Sequence, residues 1–230
     1  MARRLPIASP SRGSSPRPTS PVVALPDLDL TVRMRGLCEH ICATLDELKH
    51  IDMRRVALRV CQTRRRGPYG VQATMTPLRF RDGATSTIRR NRRWVIRPLP
   101  LDADGKPCLY LFSLYAPRFL ELPAAEKLAV TIHELWHISP TFDGDLRRFP
   151  GRYHAHGSRC DKYHDEMRDM TRRWQAAQPA TPLFDFLEGD FQSLRRRYGR
   201  IFGMRLPTPR LWRVDALPRD QRPTDDAEAA

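Results

Sequence analysis

Residues 123–138 read PAAEKLAVTIHELWHI, and the character of the whole chain turns on them. Leu128, Ala129 and Ile132 make this segment apolar enough to be a buried helix. Pro123 suits the first helical position, Glu126 suits the first turn, and Ser139-Pro140 ends the run. The helix carries His133-Glu134-Leu135-Trp136-His137, the pattern HExxH. Positions i and i+4 lie one above the other on a helix, so both imidazoles can reach one ion. Zinc suits such a pair: it takes nitrogen ligands at about 2 Å, is four-coordinate, and keeps one position open in catalytic sites. Glu134 is rotated from the histidine line by about 100°. It can therefore stand beside the water that the ion activates and take its proton as the water attacks a carbonyl. With seven histidines and eight glutamates in 230 residues, HExxH arises by chance in roughly 0.7% of such chains.

A catalytic zinc needs a third protein ligand. Asp143, His154, His156, His164 and Glu166 all follow within reach. Asp143 would need a sharp turn where the chain has Pro140. Glu166 would have to come from a downstream helix. His154 and His156 alternate in Gly151–Gly157, so an extended segment would aim only one of them at the metal. His164 reads most simply as a helix-surface residue. Asp143 and Asp145 read as loop-shaping groups.

Outward from the motif, the pattern is helix, strands, helix, loop, helices. Residues 29 to 50 place Val32, Leu37, Ile41, Leu45 and Leu48 at helical spacing. Residues 54 to 62 alternate, with Val56, Leu58 and Val60 on one face of a strand. Further strands are expected at 71–80, 94–99 and 108–114, a turn at 67–70, and helices at 158–175 and 184–201. Strand runs followed by helix runs predict an α+β domain. Residues 1–26 hold six prolines, five serines and four arginines and read as a disordered tail, as does the acidic stretch 218–230. The folded domain is then 27–217.

Composition excludes several classes. No apolar run approaches the roughly 18 residues of a membrane span, and no apolar segment follows the basic start, so a cytoplasmic protein with no membrane partner is expected. The five cysteines contain no CxxC pair, which argues against a disulfide framework or a thiolate zinc site. Cys38 and Cys42 read as small apolar core residues. The net charge is +14, carried by 36 arginines against 4 lysines. Residues 79–97 alone hold seven arginines, one aspartate and Trp94. Such a segment could bind nucleic acid through phosphates and stacking, or could simply reflect an arginine habit.

HELWH, the loop after it, the pair His156-Gly157 and the helix beyond resemble the SprT-like zinc peptidases. The stretch HELWHISPTFDGDLRRFPGRYHAHGS, with CLYLFSLYAPRFLELPAAEKLAVTI before it, is similar to the phage-type metallopeptidase domain related to them. The likeness covers about residues 105–175 and extends more loosely back to 28. It implies a zincin-like domain: an N-terminal helix, a small sheet of three or four strands, the HExxH helix and C-terminal helices. It implies His133, His137 and His156 as zinc ligands and Glu134 as the catalytic glutamate. It also implies a protein or peptide substrate, with the strand before the HExxH helix along the substrate cleft. The 18 residues between His137 and His156 exceed the usual spacing, which keeps His154 in competition. The rival expectation is a non-enzymatic, nucleic-acid-associated protein whose zinc site is structural or degenerate.

Overall fold

In a computed structural model, which describes residues 26–63, 70–148, 160–177, 182–219 and 222, the fold is α+β. The elements are β1 (Leu28–Asp29), α1 (Leu30–Thr44), β2 (Val56–Gln62), β3 (Ala73–Pro77), β4 (Ser86–Arg89), β5 (Arg92–Arg97), β6 (Tyr110–Ala116), α2 (Ala124–Trp136), α3 (Cys160–Ala177), α4 (Phe191–Tyr198), β7 (Ile201–Phe202) and β8 (Arg210–Arg213). The tails expected at 1–26 and 218–230, and the turn at 67–70, fall largely outside the described residues.

The central sheet has the order β2-β6-β3, with β2 parallel and β3 antiparallel to β6. Val56 lies opposite Tyr110, and Met75 lies opposite Phe112. Residues paired this way share a face, so Val56, Leu58, Ala73, Met75, Tyr110, Phe112 and Leu114 form one apolar surface, covered by residues of α1, α2, α3 and α4. The opposite face carries a smaller cluster of Ala57, Leu78, Cys108 and Leu111, capped by Ile96, Leu99 and Leu206. Arg59 is buried on that face. It donates to Ser113 Oγ, the Leu206 carbonyl and Thr208 Oγ1, which ties the C-terminal segment to the sheet. With both faces covered, β2 does not show the simple alternation of a half-buried strand: its first four residues are all buried.

A second sheet has the order β4-β5-β8, antiparallel throughout. β4 and β5 form a hairpin with both turn residues, Arg90 and Asn91, at positive φ, as a type I′ turn requires. A short parallel pair, β1 with β7, closes the structure.

Three expectations are corrected. Val32 is 60% exposed; the buried stripe of α1 is Leu30, Met34, Leu37, Cys38 and Ile41, started by Asp29, whose carboxylate caps the backbone N–H groups of Thr31 and Val32. The helix expected over 184–201 is a 3-10 segment, Pro182–Glu188, followed by α4, because Asp190 caps a new helix start by accepting from the Ser193 N–H. The strand before α2, β6, is the middle of its sheet and both its edges are occupied, so it cannot lie open along a cleft. Among the described residues, no helix is long and apolar enough to cross a membrane.

Candidate metal centre

Helix α2 turns Leu128, Thr131, Ile132 and Leu135 into the core and leaves His133, Glu134 and His137 half-buried on its flank. Lys127 is buried with them, and its ammonium donates to the carbonyls of Leu187 and Gly189. That contact fastens the helix to the segment before α4. Burial lowers the Lys127 pKa to about 8.

The helix ends at its second histidine. His137 is the C-cap, and its N–H bonds back to the Glu134 carbonyl. The chain then returns: Ile138 bridges Leu146, and the Arg147 N–H donates to the His137 carbonyl at 2.7 Å. Arg147 also donates from Nε to the Trp136 carbonyl, with its guanidinium 3.9 Å from the Trp136 ring centre. A cation at a helix C-terminus satisfies a carbonyl that has no partner within the helix and complements the dipole. The loop itself is pinned from below. Tyr110 donates from its hydroxyl to the Asp145 carbonyl and accepts from the Gly144 N–H. Asp145 holds Arg148 through both carboxylate oxygens, and Asp143 accepts from Thr141 Oγ1 and the Asp145 N–H. The two aspartates thus shape the loop, as their sequence context suggests.

His133 Nε2 and His137 Nε2 stand 3.0 Å apart, with the rings edge to face. Two nitrogens each about 2.1 Å from one tetrahedral ion are separated by about 3.4 Å. The pair therefore needs to open by only a few tenths of an ångström to share a zinc ion. Two convergent imidazole nitrogens are the donor set such an ion prefers. No third His, Cys, Asp or Glu joins them among the described residues, and this takes in both Asp143 and Glu166. Glu166 is exposed on α3, in a hollow with Trp136, Asp169 and Arg173. His154 and His156 lie outside the described residues, as does the His164 side chain.

Glu134 meets the free edge of the central sheet, where the Met75 N–H donates to its Oε2 at 2.6 Å. Burial pushes the Glu134 carboxyl up to about 7, against the opposing pull of that N–H. This is near where a general base works best at neutral pH. The Met75 N–H points away from β6 for a reason fixed by register. Gln72 and Leu78 bond to β6, so Ala73, Met75 and Pro77 turn their backbone groups the other way. No single-chain pattern announces this partner, because strand order is not written in local sequence.

A cavity of about 800 Å³ lies elsewhere. It is lined by the outer edge of β2, the start of α1 and Phe202 to Leu206, and it shares no residue with the histidine site. Compared with known protein families, curated proteins and solved structures, the chain matches none.

Proposed function

We propose that the chain is a zinc-dependent peptidase of zincin-like fold acting in the cytoplasm, with Glu134 as general base. The observation that carries this reading is the 3.0 Å approach of two Nε2 atoms beside a half-buried carboxylate at a sheet edge. His133 and His137 would hold the zinc. The resemblance to SprT-like peptidases assigns the third place to His156. Zinc there would supply Lewis acidity towards a carbonyl and an activated water. Glu134 takes a proton from the attacking water at Oε and delivers one to the leaving amine. An extended substrate segment would lie along β3, whose outward carbonyls at Ala73 and Met75 offer strand-type hydrogen bonds. This moves the substrate edge from β6, where the resemblance implied it, to β3.

The test is Glu134→Gln, which keeps the shape and removes the base. Hydrolysis of a denatured protein such as casein is expected to fall by at least about 10²-fold, with zinc content unchanged. Undiminished hydrolysis would overturn the assignment.

A further inference from the structure

The outer sheet has a composition that its packing does not require. β4, the turn Arg90–Asn91, β5 and β8 make up sixteen residues, of which seven are arginine and none is acidic. Val95 is the only buried one of the sixteen. Register sets Arg89 opposite Arg92 and Arg97 opposite Arg210. Like charges directly opposite each other destabilise a sheet, so the Arg89–Arg92 pair works against the fold that contains it, while Arg97 and Arg210 stand on the other face. Arg89, Arg90, Arg92 and Arg210 are exposed and have no carboxylate partner among the described residues. A polyanion docked on the sheet would relieve this repulsion.

Register also says which side chains share a face. Thr87 lies opposite Trp94, Trp94 opposite Arg213, and Ile96 opposite Leu211. Arg89, Arg92 and Trp94 therefore stand on one face. There Thr87, Arg89, Arg90, Trp94 and Leu211 line a groove of about 280 Å³, with Leu211 52% exposed. An indole in a groove rimmed by guanidinium groups distinguishes among polyanions. Duplex DNA presents phosphates but keeps its bases stacked inside. A single strand presents phosphates and free bases together, and it is bound by basic grooves with aromatic platforms.

We propose that the β4-β5-β8 sheet is a binding face for single-stranded nucleic acid, with Arg89, Arg90 and Arg92 on phosphates and Trp94 stacking a base. The face does not depend on the peptidase reading, since none of its residues belongs to the histidine site. Residues 79–97 contribute only part of it; β8 supplies Arg213 and Leu211 from the far end of the chain.

The test uses the full chain and fluorescence anisotropy with a labelled oligothymidylate and a duplex of equal length, each titrated over a range of salt. The single strand should bind more tightly, and its affinity should fall as salt rises. Trp94→Ala should weaken single-strand binding at least about fivefold with little change in the salt slope. Trp94→Phe should restore most of the loss. The double variant Arg89→Ala/Arg92→Ala should reduce the slope by about one to two. Circular dichroism would confirm that each variant is folded. The proposal is overturned if the duplex binds as tightly as the single strand. It is equally overturned if folded Trp94→Ala binds as wild type does, or if the chain binds anionic phosphatidylserine vesicles while oligothymidylate does not bind.

Discussion

β6 runs through the middle of the inner sheet with Tyr110 to Leu114 all buried, whereas β5 runs through the middle of the outer sheet with only Val95 buried. Both sheets have three strands. The inner one exists because it removes apolar surface from water on both faces. The outer one is held by backbone pairing, by buried Val95 and by a patch of contact near Ile96, and most of its remaining side chains are charged or at least partly exposed. The inner sheet can therefore hold a carboxylate and two imidazoles in fixed places. The outer sheet is free to vary its surface, so its arginine content says more about what it meets than about how it folds.

The sharpest way to break this comparison is to truncate equivalent apolar residues in the two sheets. Phe112→Ala in the inner sheet should cost about 3–5 kcal/mol in urea unfolding. Ile88→Ala in the outer sheet, at a site 71% exposed, should cost less than about 0.5 kcal/mol. Similar costs would mean that the outer sheet carries core-like packing. Next in size is Lys127→Met, which keeps the apolar stem and removes the donor to Leu187 and Gly189. A loss of about 2–3 kcal/mol is expected, with faster hydrogen exchange in residues 187–190. Tyr110→Phe should cost about 1–2 kcal/mol, because it strands the Gly144 N–H and the Asp145 carbonyl. Exchange at 144–147 should rise in that variant, while the outer hairpin should be unaffected.

The last prediction concerns pH. Burial pushes the Cys42 thiol up to about 12 from 9.0. Below pH 9 the thiol is neutral in both folded and unfolded chains, so it contributes no pH dependence. Between pH 9 and 12 the unfolded thiol loses its proton first, so stability falls as pH rises. Cys42→Ala should flatten that alkaline decline relative to wild type. A decline of the same steepness would show that the Cys42 thiol is not what titrates there.

The HExxH helix was legible because its evidence is local: i,i+4 spacing, a proline at its start and a Ser-Pro stop. The α+β class followed from the order of patterns. The stripe expected for α1 runs through the wrong first residue. At about 100° per residue, Val32 stands roughly 140–180° from Leu37 and Ile41 and faces solvent, whereas Met34 lies within roughly 60° of both and is buried. The helix expected over 184–201 passes over Gly189-Asp190, where Asp190 caps a new helix start. β8 was illegible for a different reason. Its strand character comes from pairing Leu211 with Ile96, a contact made only in three dimensions. The Met75–Glu134 bond was hidden likewise, because it depends on β3 being an edge.

The most direct test of the central claim is the zinc content of the reconstituted full chain, measured by inductively coupled plasma mass spectrometry after removal of free metal. Wild type should hold about one zinc per chain, and His133→Ala/His137→Ala should hold none while remaining folded. Wild type without zinc after reconstitution, or equal zinc in the double variant, would contradict the assignment of these two histidines as metal ligands.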